Sequence, residues 1–175
     1  MCGLALITSP LAGQDWERAN AQVRRLDPSV FGELPEPVST YLRTRGCTVP
    51  QAFGAKQRSG VIRGHFTSPT RLDWAVLCSV RQVSSILVFR GGSVARVDEL
   101  ARLEDSTFLQ VVDVPDVVGY SREISVATPA HIRSHGADDT VARIEHDGIE
   151  DSFVEKGSRI QYWSGGRWRE LPGAD

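Results

Sequence analysis

The sequence predicts an α+β fold, with two N-terminal helices followed by a mainly antiparallel β-sheet that ends in a C-terminal hairpin. Three observations carry this reading. Apolar residues recur at helical spacing only ahead of Gly46. From Gly60 onward the pattern changes to short runs rich in Val, Ile and Leu, bounded by turn residues. Near the end, Gly165-Gly166 separates two such runs and supplies the φ freedom of a tight hairpin turn.

In order along the chain, Asp15 is read as the cap of a helix carrying Trp16, Ala19, Val23 and Leu26 on one face, stopped before Asp27-Pro28. Pro35 and Pro37 pre-set the second helix, with Val38, Tyr41 and Leu42 facing inward, Arg43 and Arg45 in the last turn and Gly46 as the stop. Residues 61–66, 72–79 and 84–89 read as three strands. The connection through Arg81-Gln82-Val83 is so short that it favours antiparallel neighbours. Beyond Gly91-Gly92-Ser93, residues 97–103 are read as a short helix or loop, and residues 108–114 and 120–127 as further strands. Thr128-Pro129 opens one or two helical turns at 130–135, stopped by Gly136. Residues 141–145 and 149–154 are added as strands, and 158–163 and 167–171 flank the Gly-Gly turn.

Composition bounds the function. The 175 residues are 41% hydrophobic and 24% charged, which excludes wholesale disorder, a collagen-like fibre and a long coiled coil. No repeat or linker divides the chain, so residues 14–175 are read as one domain, large enough to bury a core without a metal or disulfide. Its 20 basic and 22 acidic side chains give a formal charge of −2, without the clustered basic face of a nucleic-acid binder. Only Lys56 and Lys156 of the basic residues are lysines, an excess of arginine ascribed to genome composition. No apolar run approaches the ~18 residues of a membrane-spanning helix.

The first 13 residues, MCGLALITSPLAG, are apolar and rich in small side chains, and a plainly polar pattern begins at Gln14. They read as the end of a signal peptide with a cleavage site near Ala12-Gly13, lacking its basic n-region. This predicts a periplasmic or secreted protein, or a cytoplasmic one if Met1 is the true start. The opening Met1-Cys2-Gly3-Leu4 also resembles that of the class II glutamine amidotransferases. That resemblance implies a Cys2 nucleophile working with its own amine, although no downstream segment matches the family's arginine-containing or asparagine-glycine motifs. Cys47 and Cys78 would pair in an oxidising compartment, closing a loop of ~30 residues, or stay buried thiols in the cytosol. The export-like N-terminus favours the disulfide.

Two further resemblances follow from motifs. Gly64-His65-Phe66 followed by Asp73-Trp74-Ala75-Val76-Leu77 resembles half of an FG-GAP or VCBS-type unit, whose intervening loop binds Ca²⁺. Here the loop from Thr67 to Leu72 has lost its carboxylates and only Asp73 remains, so the hairpin is expected to persist without the ion. Residues 45–175 resemble a group of uncharacterised bacterial exported proteins. The likeness lies in Arg45-Gly46-Cys47-Thr48-Val49-Pro50-Gln51, in strands 73–79 and 84–89, in Asp147-Gly148-Ile149 through Phe153-Val154-Glu155-Lys156, and in Tyr162, Trp168 and the terminal Gly173-Ala174-Asp175. It implies fold and export, and no activity.

Chemistry-bearing constellations are few. His131 and His135 stand four apart, as zinc ligands on a helix do, with His146 or Asp147 as a third ligand. The glutamate of a His-Glu-x-x-His motif is missing and Arg133 lies between them, so exposed or capping histidines are the competing reading. Glu145 with Asp147, and Glu150 with Asp151 and Glu155, are carboxylate groupings for acid–base work or simply solvated turns. Lys156 beside Glu155 suits a surface pair. Nucleophile-elbow, phosphate-loop and dinucleotide motifs are absent from the sequence. Tyr162, Trp163 and Trp168 crowd the last hairpin, where they either fill the core or form a binding surface. The reading is therefore an exported, non-catalytic binding or interaction module without a cofactor, its partner a protein or small molecule. The alternatives are a metal-assisted hydrolase using His131, His135 and His146, or a Cys2 amidohydrolase.

Overall fold

Apolar positions that alternate along a strand bury opposite faces of a sheet, and here both faces of the strands at 73–80 and 83–89 are apolar, so their sheet needs cover on two sides. The computed structural model of the chain describes residues 11–113 and 117–174. Its helices are α1 (Leu11–Gln22), α2 (Glu36–Thr44), α3 (Pro129–His135) and α4 (Asp139–Ala142). The strands are β1 (Arg25–Leu26), β2 (Val49–Pro50), β3 (Val61–Gly64), β4 (Asp73–Val80), β5 (Val83–Phe89), β6 (Val97–Glu104), β7 (Leu109–Asp113), β8 (Val117–Tyr120), β9 (Arg122–Ala127), β10 (Gly148–Phe153), β11 (Gly157–Ser164) and β12 (Arg167–Pro172). Two four-stranded sheets, ordered β3-β4-β5-β6 and β12-β11-β10-β9, accompany the two-stranded ribbons β1-β2 and β7-β8. All of these pairings are antiparallel. The α+β class stands. The finer expectation of two helices followed by one sheet gives way to four helices and several sheets among the described residues.

The packing forms layers. Val76, Cys78, Leu87 and Phe89 on one face of the first sheet meet Phe31, Leu34, Val38 and Leu42 from α2 and the turn before it. On the opposite face Ala75, Leu77, Ile86 and Val88 meet Ile124 and Ile149 of the second sheet. The outer face of the second sheet, through Ala127, Ile160 and Tyr162, is covered by Ile132, Val141 and Ile144 around α3 and α4. The order is helix, sheet, sheet, helix. A smaller cluster places Ala19 and Val23 of α1 against Phe108, Leu109, Tyr120 and Phe153 at one end.

Several elements match their local signals. Gly46, at φ +73°, closes α2 with Cys47 N–H donating to Leu42 O at 2.9 Å and Gly46 N–H to Arg43 O at 3.0 Å, the paired bonds of a Schellman stop. β11 and β12 turn through Gly165 and Gly166 at φ +59° and +79°. β3 and β4 form the hairpin expected around Asp73.

Three elements differ. The first helix begins at Leu11, inside the segment read as a signal remnant, and ends at Gln22. Arg25 and Leu26 leave it to pair with Pro50 and Val49. Residues 97–104 form strand β6, because the edge of β5 offers a ladder that their own sequence does not announce. Residues 139–142 are helical because Asp138 caps them, its carboxylate accepting from Val141 N at 2.8 Å.

Candidate functional site

The most conspicuous polar group lies between the sheets. Arg122 of β9 is fully buried and makes a two-pronged pair with Asp151 of β10, Nε to Oδ1 and Nη2 to Oδ2, both at 2.8 Å. Its remaining donors reach the first sheet, at Ser84 Oγ (2.9 Å) and the Ala101 carbonyl (2.8 Å), and its guanidinium lies 4.4 Å from the centre of the Phe108 ring. A second buried carboxylate, Asp105, accepts from Arg25 Nη2 at 2.7 Å and Ser79 Oγ at 2.6 Å. Its Oδ1 and the Tyr120 hydroxyl are buried without hydrogen-bond partners among the described residues. Burial, with the Asp105 charge nearby, pushes the Tyr120 phenol well above the ordinary tyrosine range. Asp73 is likewise enclosed, accepting from Thr67 N at 3.0 Å, Arg71 Nε at 2.9 Å and Gly91 N at 2.8 Å, so its oxygens tie the 67–72 loop to the turn after β5. Asp73, Asp105, Arg122 and Asp151 are thus engaged in structural bonds.

The histidines are only partly brought together. His131 and His135 on α3 have ring centres 4.4 Å apart. His131 Nε2 lies 3.3 Å from Glu150 Oε2, while Ser158 Oγ donates to Glu150 Oε1 at 2.7 Å. In this chain of contacts the carboxylate stands between the hydroxyl and the imidazole, so the imidazole does not reach the hydroxyl to take its proton. His135 Nδ1 is 2.9 Å from the His131 carbonyl, and His146 Nδ1 is 3.0 Å from the Asp147 carbonyl. Asp147 instead accepts from His65 N at 2.8 Å. Among the described residues no group of three His, Cys, Asp or Glu side chains is arranged to hold a metal ion. Glu145 and Glu155 do not join Glu150 in a cleft: both lie exposed in turns. Cys2 lies outside the described residues.

The aromatic surface divides. Of its two readings, binding surface or core, Tyr162 takes the core one: it is 3% exposed beneath α3 and α4, because it shares the outer face of the sheet with Ile160. Burial and the nearby Asp138 push its phenol upward. Trp163 and Trp168 face the other way and pair edge to face at 5.6 Å. Arg90 lies 4.0 Å over the Trp163 ring, and Trp168 Nε1 donates to Asp98 Oδ2 at 3.1 Å. Arg90 Nε also donates to Asp98 at 2.7 Å, so the part-exposed tryptophans fasten the C-terminal hairpin to β6.

Cys47 and Cys78 form a disulfide with Cα atoms 5.4 Å apart, joining the end of α2 to β4. No described helix is long and apolar enough to cross a membrane.

The open space lies elsewhere. A cavity of about 400 Å³ is set at the end of the sandwich, walled by Leu103, Phe108, Phe153 and Pro172. Asp151, already held by Arg122, lies in its lining, and Lys156 and Arg159 stand beside it. Arg159 is paired with Glu170, whereas the Lys156 ammonium has no partner among the described residues. Comparison with protein families, curated proteins and solved structures finds no match to this chain.

Sequence reasoning passed over most of these residues. Arg122 opens a strand like many other arginines, and nothing local marks it as buried. Lys156 was read as suiting a surface pair with Glu155, although one of just two lysines in the chain was a signal in itself.

Proposed function

We propose that the chain is an exported, non-catalytic binding domain that accepts a small ligand with an apolar body and an anionic head in the cavity at the end of the sandwich. The observation that carries this reading is the pairing of an apolar wall with one uncommitted ammonium. Leu103, Phe108, Phe153 and Pro172 offer the surface that small-molecule sites use, and Lys156 offers the one charge in the lining left unpaired among the described residues, which orients a ligand. The volume is in the range of such sites. The engagement of Asp73, Asp105, Arg122 and Asp151 in structural bonds supports a role without chemistry. Export is supported by the disulfide, since such bonds persist in oxidising compartments.

Calorimetric titration with octanoate and phenylacetate, beside their neutral amides, tests the proposal. Saturable carboxylate binding is expected, weakened about tenfold by Lys156→Met, which removes roughly 1.5 kcal/mol of charge-assisted bonding. Phe153→Ala should weaken carboxylate and amide alike. Equal affinity for acid and amide, or no saturable binding, contradicts it.

A further inference from the structure

A second hollow, of about 580 Å³, lies beside the disulfide and is not used by the cavity just described. Leu103 lines the first and Arg102 the second, as expected for consecutive residues of β6, which point to opposite faces. The end of α2, the β4–β5 turn and β6 bring Arg45, Arg81 and Arg102 around a floor that includes Cys78. Two of the three guanidiniums share one carboxylate: Glu99 accepts from Arg45 Nη2 at 2.9 Å and from Arg102 Nη1 at 3.0 Å. Arg81 has no hydrogen bond or ion pair among the described residues. The side chains of Arg45 and Arg102 are 37% and 63% exposed, so solvent and solutes reach their remaining donors.

The backbone beneath Arg81 is unusual. Arg81 and Gln82 form the two-residue turn between β4 and β5, at φ +52° and +62°. Such turns favour Asn-Gly or Gly-Gly, and the β11–β12 turn of this same chain uses glycines. Two distant bonds hold the strained turn: Asn20 Nδ2 donates to Gln82 Oε1 and the Asp105 N–H to the Gln82 carbonyl, both at 2.8 Å. A large cationic side chain is thus kept over the hollow in a conformation it disfavours, as residues at ligand sites often are.

We infer that this hollow binds a tetrahedral oxyanion, the phosphate or sulfate group of a ligand, held by Arg81 and Arg102 with Arg45 at its side. The planar guanidinium fork matches two oxygens of such a group, and an anion of charge two offsets the two arginines that Glu99 leaves uncompensated. Glu99 and the carbonyl end of α2 oppose any anion here, so inorganic phosphate alone should bind weakly and pyrophosphate, with two such groups, more tightly.

The test uses the full chain with its disulfide intact, at low ionic strength, titrated with phosphate, sulfate and pyrophosphate, and with acetate as comparator. Pyrophosphate should bind saturably, at least tenfold more tightly than acetate. A preference between sulfate and phosphate then names the ester class. Arg102→Gln should weaken pyrophosphate at least fivefold. Arg81→Gly should weaken it as much while raising the melting temperature, because glycine relieves the turn. A purely structural Arg81 would not separate the two readouts in that way. Absence of saturable binding, or affinity unchanged in both variants, overturns the inference, and neither result bears on octanoate binding at Lys156.

Discussion

Arg122 is an interior residue that behaves as a rivet. A buried guanidinium is tolerated only when its charge and donors are met, and here Asp151, Ser84 and Ala101 meet them from three other strands. Arg122→Ala leaves Asp151 buried without its counter-charge and should cost about 3–5 kcal/mol, read from urea unfolding. Tyr120 makes the opposite case, with a buried hydroxyl that finds no partner among the described residues. Its phenol is held above the ordinary tyrosine range, so the unfolded chain ionises first. Stability from this residue is present below the unfolded pKa of about 10 and is lost as pH climbs through the folded value. Tyr120→Phe should therefore flatten the fall of melting temperature on the alkaline side and cost little at pH 7. Neither residue was legible as interior, since an arginine or a tyrosine in an alternating run reads the same whether its face meets water or another sheet.

At the scale of elements, legibility followed the reach of the interactions. α2 could be read from Pro35, Pro37 and Gly46 because its start and stop are set by residues within one turn of its ends. Gly46→Ala should cost about 1 kcal/mol by placing a Cβ at positive φ, measurable by thermal unfolding. The Gly165-Gly166 hairpin was legible for the same reason. β6 was not, because its sequence is polar and it exists as a strand only where β5 pairs with it. The end of α1 was misplaced because Arg25 is drawn out of the helical register by Asp105 and by pairing with Pro50, partners at distances a local pattern does not contain. The disulfide joins two elements already adjacent in the sheet-and-helix layer, so it acts chiefly on the unfolded chain. Reducing it should cost about 3–4 kcal/mol without altering the native far-ultraviolet spectrum under non-denaturing conditions.

At the scale of the molecule, the four layers explain why the candidate catalytic groups disperse. α3 carries His131 and His135 on the outside of the second sheet, while Asp147 and His146 precede β10 and bond to their own loop and to His65. The tryptophans close the sandwich along one edge, and the end near Phe108 and Phe153 stays open. The α+β class could be read from where helical spacing gives way to strand-like runs, but stacking of one sheet on the other rests on Ile124 and Ile149 meeting Leu77 and Ile86, contacts between distant parts of the chain. The most direct test of the binding reading is a ¹H–¹⁵N correlation spectrum of the intact chain titrated with octanoate. Saturating shifts gathered at Leu103, Phe108, Phe153, Lys156 and Ser158, and lost in Lys156→Met, are predicted. Shifts scattered over the surface, or gathered around His131 and Glu150 instead, would contradict it.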